Sequence, residues 1–310
     1  MSDMLLTRIP PPWLSPFVRS MWVSEPGPGA TSTPGAGLRE HVLPTGDMHL
    51  VFRLGAAPLR VFADAADSEG WTVGHAIVGG ARSAFYARET TALSSSVGAQ
   101  LRPGAAWVLF GTPASALAER HTRLDALWGE RAAESALDLF HGLATAEARM
   151  AALEAMLTRR LAQRPHALHP AVAHGLRGLG DGVPVCELVR ASGYSHRHFA
   201  ALFKEAAGLP PKRLQRVLRF QRLLAALPAD TPVPQHWAQL ALTIGYSDQS
   251  HFIREFRDIA GMSPEAYRRA SPGTPNHVPA IRSTSSNTGN PGAPRIASTS
   301  LIRGASHDRA

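Results

Sequence analysis

With 310 residues, 44% of them hydrophobic, the chain is long enough to bury two ordinary domain cores, and no apolar run reaches the roughly 20 residues of a membrane span. Its single cysteine, Cys186, rules out an internal disulfide and a cysteine-rich zinc site, so a protein of the reducing cytoplasm with no membrane partner is expected. The formal charge of +8 is concentrated after residue 180, which suits a polyanionic partner, although a basic surface also serves solubility.

The first residues, MSDMLLTRIPPPWL, lack the basic start and sustained apolar stretch of a secretion signal, and none is expected. Pro10, Pro11 and Pro12, followed by Trp13, Phe17, Val18 and Trp22, predict a docking segment and then a strand. Residues 25–37 are Gly/Pro-rich and read as a long loop. Short β-like runs follow at 41–43, 48–54, 59–63, 76–78, 85–87, 93–97 and 107–110, punctuated by Gly, Pro and Asp; their spacing predicts a small barrel or sandwich. Residues 115–121, 124–143 and 145–161 then predict helices. Leu153, Met156 and Leu157 recur at three- and four-residue spacing, an apolar stripe that suggests a linker helix pairing two chains. From residue 182 to 269 the pattern is helical with short turns. The last forty residues, rich in Ser, Thr, Pro, Gly and Asn, are expected to be disordered.

One internal repeat stands out. Gly193-Tyr194-Ser195 recurs 52 residues later as Gly245-Tyr246-Ser247, while Phe199, Phe203, Gly208 and Pro211 recur 53 residues later as Phe252, Phe256, Gly261 and Pro264. Each copy has the layout of a helix-turn-helix. In the first, Pro184 suits an opening turn, Val185, Leu188 and Val189 face inward, Gly193 makes the turn and Ser195 caps. Phe199, Leu202 and Phe203 then lie on one side of the next helix and His196, Arg197, Ala200 and Lys204 on the other. In the second copy Trp237, Leu240 and Ala241 precede Gly245, and Ser247 or Asp248 caps. There Phe252, Phe256 and Ile259 point inward, leaving Gln249, Ser250, Ile253, Arg254 and Arg257 outward. Arg, Gln and Ser at the start of a helix are groups that hydrogen-bond base edges in the major groove. Between the copies, residues 212–227 predict a helix of about 24 Å against ~34 Å for one DNA turn, so a bend in the duplex is expected. Lys212, Arg213, Arg216, Arg219 and Arg222 decorate it, a few of them as phosphate contacts.

Residues 183–270 resemble the DNA-binding domain of the AraC/XylS family of bacterial transcription regulators. The matching stretches are GYSHRHFAALFKEAAG at 193–208 and IGYSDQSHFIREFRDIAGMSP at 244–264, the second following the family signature more fully. Upstream, REHVLPTGDMHLVF at 39–52, GAQLRPG at 98–104 and LDALWG at 124–129 resemble the family's cupin-like sensor domain. The resemblance implies an α+β protein: a β-rich cupin-like barrel (1–125), a helical linker that dimerises (126–180), a double helix-turn-helix (181–270) and a tail (271–310). The implied partners are double-stranded promoter DNA, RNA polymerase, a small-molecule effector in the N-terminal domain and a second copy of the chain. The DNA-contacting set is Ser195, His196, Arg197 and Lys204, then Asp248, Gln249, Ser250, His251, Arg254 and Arg257. Ala200 and Ala201 depart from the family, which often carries a base-reading side chain there, so the second helix is expected to carry more of the sequence choice.

Enzyme readings fare worse. A cupin-type metal site would draw on His41, His49 and His75, but no His-x-His pair occurs among them. A Gly-x-Ser-x-Gly nucleophile elbow at Gly193 fails because Arg197 stands where glycine is needed. No phosphate-binding Gly-rich loop ending in Lys-Ser/Thr is present. Cys186 near Pro184 reads as a small core residue rather than a methyl acceptor. The expectation is a regulator without catalytic activity, cofactor or metal; the alternative is a cupin-like metal enzyme or ligand-binding module fused to a DNA-binding domain.

Overall fold

The computed structural model describes residues 4–27, 38–63, 67–90, 95–164, 167–227, 236–270 and 272–279. Strands β1 (Met4–Arg8), β2 (Val18–Glu25), β3 (Leu38–Val42), β4 (Met48–Arg53), β5 (Leu59–Phe62), β6 (Trp71–Gly74), β7 (Ala76–Gly79), β8 (Tyr86–Thr90) and β9 (Ser96–Leu101) come first. Helices α1 (Ala105–Phe110) and α2 (Ala114–Leu117) precede β10 (His121–Arg123). The chain then runs through α3 (Asp125–Trp128), α4 (Glu130–His141), α5 (Ala146–Gln163), α6 (Pro170–Gly180), α7 (Val185–Ser192), α8 (His196–Ala207) and α9 (Pro211–Ala225). It continues with α10 (His236–Ile244), α11 (Gln249–Ala260) and α12 (Pro264–Ala270), and β11 (His277–Pro279) closes the described part.

The strands form two antiparallel sheets, ordered β1-β2-β9-β4-β7-β10 and β11-β3-β8-β5-β6. Strand β4 shows how the period of two divides the molecule. Met48, Leu50 and Phe52 pack into a core shared with the helices, while His49, Val51 and Arg53 face the other way and line a cavity. Strand β7 repeats the division: Ala76 and Val78 join the helical core, and Ile77 and Gly79 line the cavity. The first sheet is therefore covered on both faces.

The helical cover is α5, whose Met150, Leu153 and Leu157 are fully buried against β2 and β9 of the same chain. The stripe that suggested pairing between two chains is spent internally. That core continues without a break from Met21 and Leu50 through Phe140 to Phe199, Phe203 and Val217. Packing therefore does not divide at residues 125 or 180. A second core gathers Phe220, Trp237, Phe252, Phe256 and Tyr267 with Leu43 of the β-rich part and Val278 of β11.

Several sequence expectations need correction. Residues 107–110 are part of helix α1, opened by Gly104 and closed by Gly111; five of its six residues are buried, and a short continuous apolar run carries no period to separate strand from helix. The helix expected over 115–121 stops at Leu117, and His121–Arg123 pair with β7 instead. The run expected over 124–143 breaks at Gly129. Strands β1 and β6 carried no alternation clear enough to be expected. The tail was expected to be disordered from 271, yet His277–Pro279 add a strand beside β3, with Val278 fully buried; positions 280–310 lie outside the described residues. Cys186, expected in the core, is exposed.

Candidate nucleic-acid interface and barrel cavity

Both repeats fold as expected at the backbone, and the extra residue in the second has a structural meaning. Gly193 and Gly245 turn the chain at φ 71 and 93, a region closed to most side chains. In the first copy Ser195 Oγ accepts from the His198 amide at 3.3 Å and caps α8. In the second, the cap passes to Asp248, whose Oδ1 accepts from the His251 amide at 2.7 Å. Ser247 is displaced into a supporting role: its hydroxyl donates to Asp248 Oδ2 at 3.0 Å and lies 3.0 Å from His251 Nδ1. The His251 amide and the Ser247 hydroxyl hold the Asp248 carboxyl below the usual carboxylate range. The shift from a 52- to a 53-residue offset is thus a change of capping residue.

Past the caps, His196, Arg197 and Lys204 on α8 and Gln249, Ser250, Arg254 and Arg257 on α11 are exposed. Among the described residues Arg197, Lys204, Arg254 and Arg257 form no ion pair, so their charges face solvent uncompensated. His251 differs: it is half-buried, edge-on to the Tyr246 ring, with Nε2 3.7 Å from Glu255. The two copies also diverge at the repeat's tyrosine, since Tyr194 is 38% exposed and lies tilted against the His198 ring, whereas Tyr246 is buried at 3%.

Sequence reasoning missed the support beneath α11. Glu255 takes the position that Leu202 holds in α8, is only 4% exposed, and accepts from Arg216 Nε at 3.0 Å and Arg219 Nη2 at 2.7 Å. Arg219 also lies over the Tyr246 ring at 4.5 Å. Two of the α9 arginines considered for phosphate therefore anchor the second unit instead. Only the offset alignment of Leu202 with Glu255, an acidic residue at a core position, signals this in the sequence.

The second unit also rests on the β-rich part. His41 stacks on Phe85 with centroids 4.4 Å apart and donates from Nδ1 to the Ala260 carbonyl at 3.2 Å. The Phe85 amide donates to the Ile259 carbonyl at 2.8 Å, and Gly261 leaves room for the Phe85 ring, which a Cβ would meet at 2.2 Å. The Asn276 carbonyl accepts from the Leu43 amide at 2.9 Å. Glu40 on β3 pairs with both Arg88 and His277; burial alone would raise its carboxyl, but His277 and Arg88 together hold it down to about 2.

Between the sheets lies a cavity of about 60 Å³ lined by His49, Arg53, Arg82, Tyr86, Arg88 and His121, with Val42, Val51, Leu59 and Ile77 as its apolar walls. Burial lowers His49 to about 4 and His121 to about 3, so both imidazoles are neutral near pH 7. Of the three histidines weighed for a metal, only His49 lines this cavity; His41 holds Ala260 and His75 Nδ1 lies 3.3 Å from the Arg53 carbonyl. No group of three or more His, Cys, Asp or Glu able to hold a metal occurs among the described residues.

Two capped helices with exposed cations along them, joined by a rod of 15 residues, define a double helix-turn-helix fold. A family model described as a helix-turn-helix domain matches residues 188–270, and a domain of unknown function, DUF6597, matches residues 7–123. No curated protein matches the chain. Among solved structures, the C-terminal domain of AraT, a response regulator from Geobacillus stearothermophilus, is 22% identical over 34% of this chain and 88% of that one, with a TM-score of 0.30. ToxT from Vibrio cholerae O395 is 9% identical over 76% of this chain and 97% of that one, at a TM-score of 0.39. A second ToxT crystal form is 7% identical over 86% and 98%, at 0.42. The chain carries a helix-turn-helix domain at residues 188–270 and an N-terminal domain of the DUF6597 kind at residues 7–123. No helix among the described residues is long and apolar enough to cross a membrane.

Proposed function

We propose that α8 and α11 enter successive major-groove segments of one promoter site and that α11 makes most of the sequence choice. The observation that carries this is Arg254: exposed, without an ion pair among the described residues, and in the second turn of a helix braced by Glu255, where the matching position of α8 is Ala201. In this reading Gln249, Ser250 and Arg254 reach base edges on α11, as Arg197 does on α8. Lys204 and Arg257 contact phosphates, His196 and His251 flank the groove, and Ser195 and Asp248 serve as caps with their polar atoms already engaged. Rod α9, at about 22 Å, is shorter than one turn of DNA, which supports a bent duplex.

The N-terminal domain receives a small-molecule effector in the cavity between its sheets, RNA polymerase is the partner at the promoter, and the protein works in the cytoplasm without a catalytic step. The α5 stripe lends no support to a homodimer, because the chain buries it. The test is Arg254→Ala against a selected operator: a loss of about 1–3 kcal/mol with relaxed preference at one base pair is expected. An unchanged site preference would remove Arg254 from the base-reading set.

A further inference from the structure

We propose that the cavity between the two sheets is a binding site for a small organic carboxylate, with the Arg82 guanidinium as its principal anchor. The proposal rests on the reading of the N-terminal domain as the effector-receiving part and names the chemical class of that effector.

Charge around the cavity is unbalanced. Three guanidiniums, those of Arg53, Arg82 and Arg88, line it against a single lining carboxylate, Asp47. Asp47 is already engaged by Arg19 and by Gln100, whose Nε2 donates to it at 2.9 Å. Arg88 is matched by Glu40 on the neighbouring strand. Arg82 has no such match: among the described residues it forms no ion pair, and its buried Nε has no hydrogen-bond acceptor. Its other contacts are neutral. Nη2 lies 3.3 Å from His121 Nδ1, and the guanidinium sits 4.8 Å from the centroid of the Tyr86 ring. Glu119 acts on it only at longer range, without an ion pair. A largely buried cation with no directly paired counter-charge is costly, and an orphaned donor adds to that cost. A bound anion removes both penalties at once.

The walls choose among anions. Neutral imidazoles at His49 and His121 add polar contacts without adding charge. Val51, Leu59 and Ile77 offer an apolar surface that inorganic phosphate or sulfate would leave unused. A carboxylate presents two coplanar oxygens to a guanidinium fork, with a hydrocarbon end left for those walls. Volume sets the size. An apolar cavity of about 150 Å³ takes benzene; one of about 60 Å³ suits an acid of a few heavy atoms, such as acetate or propionate.

The experiment titrates the full chain with acetate and propionate, and with acetamide and propionamide as neutral isosteres, at constant ionic strength, by calorimetry and thermal unfolding. Saturable binding of an acid, at least about tenfold tighter than its amide, together with a rise in Tm, is expected. Arg82→Gln should abolish the difference between acid and amide. The comparison on the unaltered chain decides the matter even where that variant fails to fold. Equal response to acid and amide, or stabilisation by phosphate without any by acetate, overturns the site. Acid binding that leaves operator affinity unchanged upholds the site and overturns the effector role, so the two readings fail separately.

Discussion

Single side chains set the acid sensitivity of this protein. His49 and His121 both line the barrel cavity, and burial keeps each neutral far below the usual imidazole range, at about 4 and about 3. As pH falls below about 6.5 the unfolded chain takes up protons at these positions and the folded chain does not, so stability declines on acidification. Between pH 6.5 and 5 the loss is up to about 2 kcal/mol per histidine. Urea denaturation at pH 7 and pH 5 should show it, and His49→Gln should reduce the difference between the two pH values; equal stability at both would contradict the burial. Glu40 acts lower on the scale: its depressed carboxyl contributes above about 4.5 and loses that contribution as pH falls toward 2. Glu255 is the residue on which the second helix-turn-helix leans. Glu255→Ala leaves Arg216 and Arg219 without their shared partner, and a loss of about 3 kcal/mol is expected, near the low end for a buried pair because Arg216 is 43% exposed. Chemical denaturation checks it, and a cost below that of an ordinary surface substitution would show that the pair is not needed. None of this was readable residue by residue. The Ser195 cap, and a second cap at Ser247 or Asp248, were legible because capping acts within three residues, whereas Arg216 and Glu255 meet only after α9 and α11 pack.

Strand β11 is where an element changes what composition suggested. Its three residues belong to a stretch poor in large apolar side chains, yet β11 pairs with β3 and inserts Val278 into the core of the second helix-turn-helix. Tyr267 donates its hydroxyl to the Pro275 carbonyl at 2.9 Å and Gln221 donates to Asn276 Oδ1 at 2.8 Å, so the approach to the strand is also held. Ending the chain at residue 280 keeps every described core residue and should leave stability unchanged. Ending it at 276 removes a fully buried valine and the strand pairing, with an expected loss of about 1.5–3 kcal/mol. Comparing the two truncations by urea denaturation separates the cases; equal stability would show that β11 contributes nothing. Helix α5 carries the opposite lesson. Its stripe at Leu153 and Leu157 was legible as an apolar face, but periodicity says only that the face is covered and not by what. Its cover is β2 and β9 of the chain's own first sheet.

For the whole molecule, two cores cross the boundaries that sequence composition suggested. The larger joins β2, β4 and β9 to Phe199 and Phe203 of the first helix-turn-helix, and the smaller joins Leu43 to Phe252 and Phe256 of the second. The first helix-turn-helix shares its core with the sheet, and the second draws Leu43 of the β-rich part into its own, so a single calorimetric transition is expected, with no separate unfolding of the C-terminal part. Two resolved transitions would contradict the shared packing. The sequence by itself determined the helix-turn-helix repeat, both glycine turns, the Ser195 cap and the outward position of Arg254, because turns, caps and helical faces depend on neighbours a few positions apart. It also determined the alternation of Met48, Leu50 and Phe52 against His49, Val51 and Arg53, although not which face would enclose space. Only the tertiary structure decided that Arg53, Arg82 and Arg88 converge on one cavity, that Glu255 braces α11, and that β11 joins the second core. Those arrangements depend on contacts between residues tens to hundreds of positions apart, which chain folding sets and local pattern does not record.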